Sequence, residues 1–221
     1  MTSTMVKIEN DEEVTPDTSR FLLVGNSLCI DFANTIYSPS DPTGTLHSWF
    51  DLVDFMEVTV TASQQELAQL RALGKKQPRV CADVFAQALV LRDALRNILR
   101  EIVTKQRILP VWIMSVNSIL RANERYERLV PFGDKWRITY VTSSKQPERA
   151  LAIIASSAAD LIDSSSHSLI RKCANPECVL YFYDNSRTSR RRWCSMDVCG
   201  NRTKVAAYIR RRNLRQSLDK S

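Results

Sequence analysis

Cys173-Ala-Asn-Pro-Glu-Cys178 and, after fifteen intervening residues, Cys194-Ser-Met-Asp-Val-Cys199 are the two stretches on which the reading of this chain turns. Each sets two cysteines four residues apart, and Asn175-Pro176 in the first favours a tight turn that brings Cys173 and Cys178 to one point. Two short chelating pairs joined by a loop long enough to fold back present four soft thiolates, the tetrahedral shell that zinc takes. Four thiolates leave no open position for water, so the expected ion is structural and not catalytic. Disulfides would require an oxidising compartment, and iron–sulfur ligands come in more closely spaced runs. One structural zinc held by Cys173, Cys178, Cys194 and Cys199 is therefore expected. Cys29 and Cys81 stand alone in apolar surroundings and read as small buried hydrophobes.

Around these ligands the aromatic, β-prone Val179 to Tyr183 and the pair Arg192-Trp193 are expected to form the arms of a hairpin turning at Asp184 to Ser189. Ser195 then caps a helix that places Cys199 in its first turn. A knuckle, a hairpin and a ligand-bearing helix start resemble a treble-clef finger. So small an element has little core, and zinc binding worth about 10 kcal/mol can supply its folding energy.

The charge is concentrated beside the same ligands. From Arg171 onward there are thirteen basic residues against four acids, a balance of +9 where the whole chain carries +7, so the first 170 residues stand at −2. A four-thiolate zinc site carries about −2 and attracts a few cations for structural reasons alone, but it does not need thirteen. The helix expected from Gly200 to about Leu214 carries an apolar stripe, Val205, Tyr208 and Ile209, expected to lie against the hairpin. Lys204, Arg211 and Arg215 share another face, flanked by Arg210 and Arg212. No acid occurs between Asp197 and Asp219. Single-sign density of this kind is the footprint of a phosphate-backbone binder. Arg190, Arg191, Arg192, Arg202, Lys204, Arg210, Arg211, Arg212 and Arg215 are accordingly the expected DNA contacts. RNA is the nearest rival ligand, because Trp193, Tyr181 and Tyr183 could stack on unpaired bases, although they read more simply as hydrophobic filling. A third reading makes the finger a protein-contact module.

The preceding chain reads as helical. Phe21 to Val24 is expected to be a short strand ended by Gly25-Asn26-Ser27. Leu28 to Tyr37 has apolar residues every four positions and favours a helix. Short helices follow over Leu52 to Glu57 and, capped by Ser63, over Gln64 to Leu73, with Gly74 as the stop. The clearest helix runs from Val80 to about Gln106, with Val84, Ala88, Leu91, Leu95, Ile98 and Ile102 inward and Arg92, Arg96, Arg100 and Lys105 toward solvent. Pro110 opens another helix through about Arg121. Leu129 to Pro131 and Trp136 to Val141, separated by Gly133-Asp134, read as a hairpin. Pro147 starts a last helix that ends in Ser164-Ser165-Ser166, read as an interdomain hinge.

The fold class expected is mainly α with small β-hairpin elements (α+β). It comprises a disordered acidic leader over 1–19, a helical domain over 20–165, and a zinc finger with its basic helix over 166–221. Met1 to Arg20 has no apolar segment behind a positive flank, and no apolar run approaches the ~20 residues that cross a bilayer, so a soluble, cytoplasmic protein without membrane contact is expected. The chain holds two histidines and five glycines, with no triad, open metal site or glycine-rich phosphate loop, so an enzyme is the least expected class. Asp31 and Asn34 either tie down backbone or orient a small-molecule effector in an apolar pocket with Arg20 or His47 nearby. The oligomeric state is left open.

Cys173-Ala-Asn-Pro-Glu-Cys178, Arg190-Arg-Arg-Trp-Cys194-Ser-Met and Cys199-Gly200-Asn201-Arg202 together resemble the CGNR zinc finger, named for its last four residues. Leu28-Cys-Ile-Asp31-Phe-Ala-Asn34-Thr, preceded by Gly25, resembles the opening motif of the ABATE domain that precedes that finger. The resemblance spans most of the chain and implies a bacterial, stress-induced, DNA-binding transcription regulator.

Overall fold

The computed structural model describes residues 20–36, 44–121, 125–142, 147–205, 208–209 and 212. The acidic leader, the loop expected over Ser38 to Gly44 apart from Gly44 itself, and Arg210, Arg211 and Arg215 lie outside them. The described residues are mainly helical with two small antiparallel hairpins. Six helices, α1 (Leu28–Ala33), α2 (Trp49–Val58), α3 (Gln64–Lys76), α4 (Pro78–Val103), α5 (Pro110–Arg121) and α6 (Arg149–Asp163), build the first part. A ribbon of β1 (Arg125–Phe132) and β2 (Lys135–Thr142) is inserted between α5 and α6, and β3 (Ile170–Lys172) pairs with β4 (Tyr181–Tyr183) beyond them.

The 26-residue α4 is the spine because its apolar residues recur at three and four. It packs against α1, α2, α3, α5, α6 and β3. Leu91, Leu95, Ile98 and Leu99 are buried with Phe32, Phe55 and Ile154 of the facing helices. Cys29 and Cys81 are each 1% exposed within this core, as small hydrophobes. Glu101 is also buried, and its carboxylate accepts from Leu109 N at 3.0 Å and Trp112 Nε1 at 3.1 Å, pinning the corner between α4 and α5.

Two arginines of α4 depart from the solvent-facing expectation. Arg92 is buried and donates to Thr35 Oγ1, while Arg96 donates to Ala33 O at 3.0 Å and stacks over Tyr181. They satisfy groups at the C-terminal end of α1, which periodicity alone cannot show because the acceptors lie about sixty residues away. Phe21 to Val24 is not a strand but irregular: Phe21 packs in the helical core against Phe55, while Leu22 and Val24 pack on the cysteine cluster. Ser164 to Ser166, read as a hinge, form a turn in which Ser166 N donates to Ser164 Oγ at 3.0 Å. His167 Nε2 then ties back to Leu161 O and Ile162 O at the end of α6.

Gly74 does not stop α3, which continues two residues further to Lys76. Its role is close approach: a Cβ there would meet Trp49 Cδ1 at 2.7 Å and Phe50 Cζ at 3.0 Å. Trp49 is buried and donates from Nε1 to Leu70 O at 3.1 Å, so its ring is not free to retreat. Alanine would raise helix propensity by about 1 kcal/mol, but overpacking a held indole costs about 1–3 kcal/mol. Gly74→Ala is therefore expected to lower the urea midpoint; a raised midpoint at unchanged slope would contradict this packing.

Candidate metal centre and the residues that hold it

β3 ends one residue before the first ligand and β4 begins three residues after the second, so the knuckle Cys173 to Cys178 lies within the loop of the hairpin. Cys173 N donates to Leu180 O at 2.9 Å and extends the ladder to the ligand itself. This corrects the expected pairing: β4 pairs with Ile170–Lys172, not with Arg192-Trp193. The Arg192 segment instead meets the knuckle through a backbone bond, Ala174 N to Arg192 O at 2.8 Å. Ile170 and Tyr181 are apolar partners for the helical core, and that burial sets the choice of strand.

The last two ligands are placed by a capped turn, as Ser195 was expected to provide. Ser195 Oγ accepts from Asp197 N and Val198 N. Ser195 O accepts from both Cys199 N and Gly200 N, which makes the turn Met196–Gly200 a wide π-type one before the helical residues 201–205. The four sulfurs of Cys173, Cys178, Cys194 and Cys199 all lie within 4.8 Å of one another and all four residues are buried. Tetrahedral zinc with bonds of about 2.3 Å requires sulfur–sulfur edges of about 3.8 Å. Cys178 Sγ and Cys194 Sγ are 3.9 Å apart.

Backbone and amide donors also converge on the sulfurs, as a negatively charged cage requires. Cys194 N points at Cys173 Sγ at 3.4 Å, and Asn175 Nδ2 at Cys199 Sγ at 3.5 Å. Asn175 Oδ1 accepts from Glu177 N, so this buried amide both shapes the knuckle and faces the cage. The sequence marked Asn175 only as a turn residue. A hydrogen bond from the Cys194 thiol holds Cys178 down to about 5 and pushes Cys194 up, with burial and neighbouring sulfur charge acting on Cys194 in the same sense. Burial likewise pushes Cys173 up. Protons and a divalent cation therefore compete for the same sulfurs.

Arg191 was expected to face DNA, but its donors turn inward. Nε donates to Trp193 O at 2.9 Å, and Nη2 donates to Val24 O at 3.1 Å and to Cys194 O. Its guanidinium lies over the buried Phe182 ring. Asp184, 1% exposed, was missed by the sequence reading except as a turn position. Burial alone would raise its pKa; the N–H and hydroxyl of Ser186, Arg191 N and the Arg171 guanidinium together hold the carboxyl below its usual range. The signal available was the run Asp184-Asn-Ser186, an Asx-type turn motif.

Asp31 and Asn34 also act on backbone. Asn34 Nδ2 donates to Tyr181 O at 2.8 Å and its Oδ1 accepts from Tyr181 N at 2.9 Å, so one buried amide replaces a ladder partner for β4. Asp31 Oδ1 accepts from Gly25 N at 2.7 Å, where a Cβ on Gly25 would meet that oxygen at 2.9 Å. Gly25 O in turn accepts from Tyr183 N, and Asn26 Nδ2 donates to Tyr183 O. Arg20 pairs with Asp51 and Asp54, and His47 N donates to Asp51. Tyr181 is buried in the helical core, and Tyr183 and Trp193 are partly buried beside the two clusters.

The remaining basic residues divide by position. Arg190, Arg192, Arg202, Lys204 and Arg212 are exposed, and among the described residues none has an acidic partner within ion-pair distance. Val205, Tyr208 and Ile209 do not form the expected stripe against the hairpin; they are 57%, 60% and 46% exposed.

A helical domain bonded to a closed four-cysteine cage defines a zinc-finger protein with one structural zinc ion. A family model described as "CGNR zinc finger" matches residues 170–212, and one named ABATE, described as "Putative stress-induced transcription regulator", matches residues 26–165. The chain belongs to the ABATE family and carries a CGNR zinc finger. No curated protein sequence matches it. Among the described residues no helix is long and apolar enough to cross a membrane.

Two outcomes test this geometry. Zinc requires deprotonated thiolates, so zinc content measured by mass spectrometry should be one per chain at neutral pH and fall as the pH is lowered. Cys194→Ser should lose the ion at neutral pH; retention of stoichiometric zinc would remove Cys194 from the shell. Burial raises Asp31 to about 6, against the lowering effect of its N–H donors and Arg191. A folded-state pKa above the unfolded value gives stability that is present at low pH and lost as the pH rises from about 4 through about 6. Asp31→Asn keeps the acceptor for Gly25 N and removes the charge. It should stabilise the protein by about 1–2 kcal/mol at pH 7 and by much less at pH 4, a difference readable in urea melts.

Proposed function

We propose that this protein binds duplex DNA through the zinc-organised finger and regulates transcription, and that it is a binding protein and not an enzyme. The observation that carries the reading is the set of exposed, acid-free cations Arg190, Arg192, Arg202, Lys204 and Arg212 around a finger whose shape the cage sets. Arg210, Arg211 and Arg215 belong to the same proposed surface by sequence. Arg191 is left out of it, because a guanidinium bonded to three carbonyls has a folding role. Forked guanidinium donors match phosphate and guanine edges, and unpaired exposed cations release counterions on meeting a polyanion. The description of the matching family model, "Putative stress-induced transcription regulator", supports the same reading.

The closed thiolate shell argues for shape and against turnover at this site, since four protein sulfurs leave zinc no position for a reacting oxygen. A small ligand bound by the helical domain would reach the finger through Asn34 and Gly25, where α1 and the segment before it are bonded to β4.

Fluorescence anisotropy with random-sequence duplex DNA tests the proposal. The zinc-loaded protein should bind with an affinity that falls steeply between 50 and 200 mM salt, by a slope of about 0.9 per phosphate contacted. Replacing Arg192, Arg202 and Lys204 by Ala should flatten that slope by about 1 per lost contact without changing zinc content. Affinity indifferent to salt, or unaffected by loss of zinc in Cys194→Ser, would reject it.

A further inference from the structure

The β1–β2 ribbon stands between α5 and α6 in the chain. Its strands are eight residues each and pair throughout, from Arg125↔Thr142 to Phe132↔Lys135. Among the described residues, the two strands pack chiefly against each other. A two-stranded ribbon is marginally stable alone, and its exposed apolar residues then call for a partner. Leu129, Phe132, Trp136 and Ile138 are all more than half exposed.

Strand alternation sorts the side chains into two faces. One carries Glu127, Leu129 and Pro131 opposite Ile138 and Trp136. The other carries Arg128, Val130 and Phe132 opposite Thr139, Arg137 and Lys135, so it has three cations and no acid. Among the described residues none of the three is ion-paired. The Arg137 guanidinium lies 3.4 Å from the centroid of the Phe132 ring, diagonally across the turn. Stacking of this kind holds the guanidinium plane and leaves its edge donors directed outward.

We propose that this ribbon is a second DNA-contacting element, resting on the reading above that the protein binds duplex DNA. Its basic face lies along the phosphate backbone through Arg128, Lys135 and Arg137. The charge of the face selects a polyanion, because an acid-free row of unpaired cations is complementary to phosphates. Its dimensions also fit: eight residues at about 3.3 Å each give a ribbon of about 26 Å, and a two-stranded ribbon enters a B-DNA major groove about 12 Å wide. The exposed Phe132, on the basic face beside the Gly133-Asp134 turn, then meets sugar or base surface between the cations.

The test uses the full, zinc-loaded chain and random-sequence duplex DNA. Arg128→Ala, Lys135→Ala and Arg137→Ala are combined in one variant, with zinc content and circular dichroism confirming its fold. Its salt slope should be shallower than wild type by about 2–3, with affinity near 150 mM salt lowered at least about tenfold. The effect should add to that of the Arg192, Arg202 and Lys204 variant, and Arg128→Lys with Arg137→Lys should retain most of the wild-type slope. A ribbon variant with wild-type slope and affinity, while the finger variant is impaired, overturns the ribbon proposal and leaves the finger reading standing. Wild-type protein with no salt-dependent affinity overturns both. Should Leu129→Ser with Trp136→Ser abolish self-association in sedimentation while the triple charge variant binds DNA normally, the ribbon is a protein interface and the proposal fails.

Discussion

Four thiolates do not stay together in a buried space unless something compensates their charge. Deprotonating Cys173, Cys178, Cys194 and Cys199 within 4.8 Å of one another would set four negative charges in a volume from which water is excluded. Protons can relieve that repulsion only by neutralising the sulfurs, and a divalent cation relieves it while binding them. The finger has little else to stabilise it: its buried cluster is the four cysteines with Leu180 and Phe182. Metal affinity is therefore folding energy here, and the wide turn at Met196–Gly200 depends on the ligand at its end.

The finger is also joined to the helical domain by the strongest class of local tie available, buried backbone bonds satisfied by one side chain. Asn34 closes both polar groups of Tyr181, whose ring sits in the helical core, and Arg191 reaches Val24 while it holds the carbonyl of a zinc ligand. Removing either partner would leave buried donors or acceptors unsatisfied, at about 1–3 kcal/mol each. A displacement of α1 and a displacement of β4 are for that reason one event.

Much of this was legible in the residues. The cage followed from spacing and ligand chemistry, and α4 and α5 from period and proline position, because these signals are local. The basic surface was legible only in part. Composition placed cations beside the finger, but it could not separate Arg191, bonded to three carbonyls, from Arg190 and Arg192 on either side of it, which are exposed. The same limit explains Arg92 and Arg96: an arginine on a helix reads as solvent-facing until an acceptor from elsewhere in the chain is placed beside it.

What the sequence determined by itself were the properties carried by neighbours a few positions apart: the four ligands, the caps at Ser63 and Ser195, the Gly133-Asp134 turn and the helical period. Tertiary structure alone decided which strand β4 pairs with, that Gly74 makes room for an indole and does not end a helix, and that Asp31 and Asn34 hold backbone. Each of those outcomes depends on a partner outside the local run of sequence, from six positions away for Asp31 and Gly25 to 147 for Asn34 and Tyr181. The energy that selects it is released only when burial brings the two together.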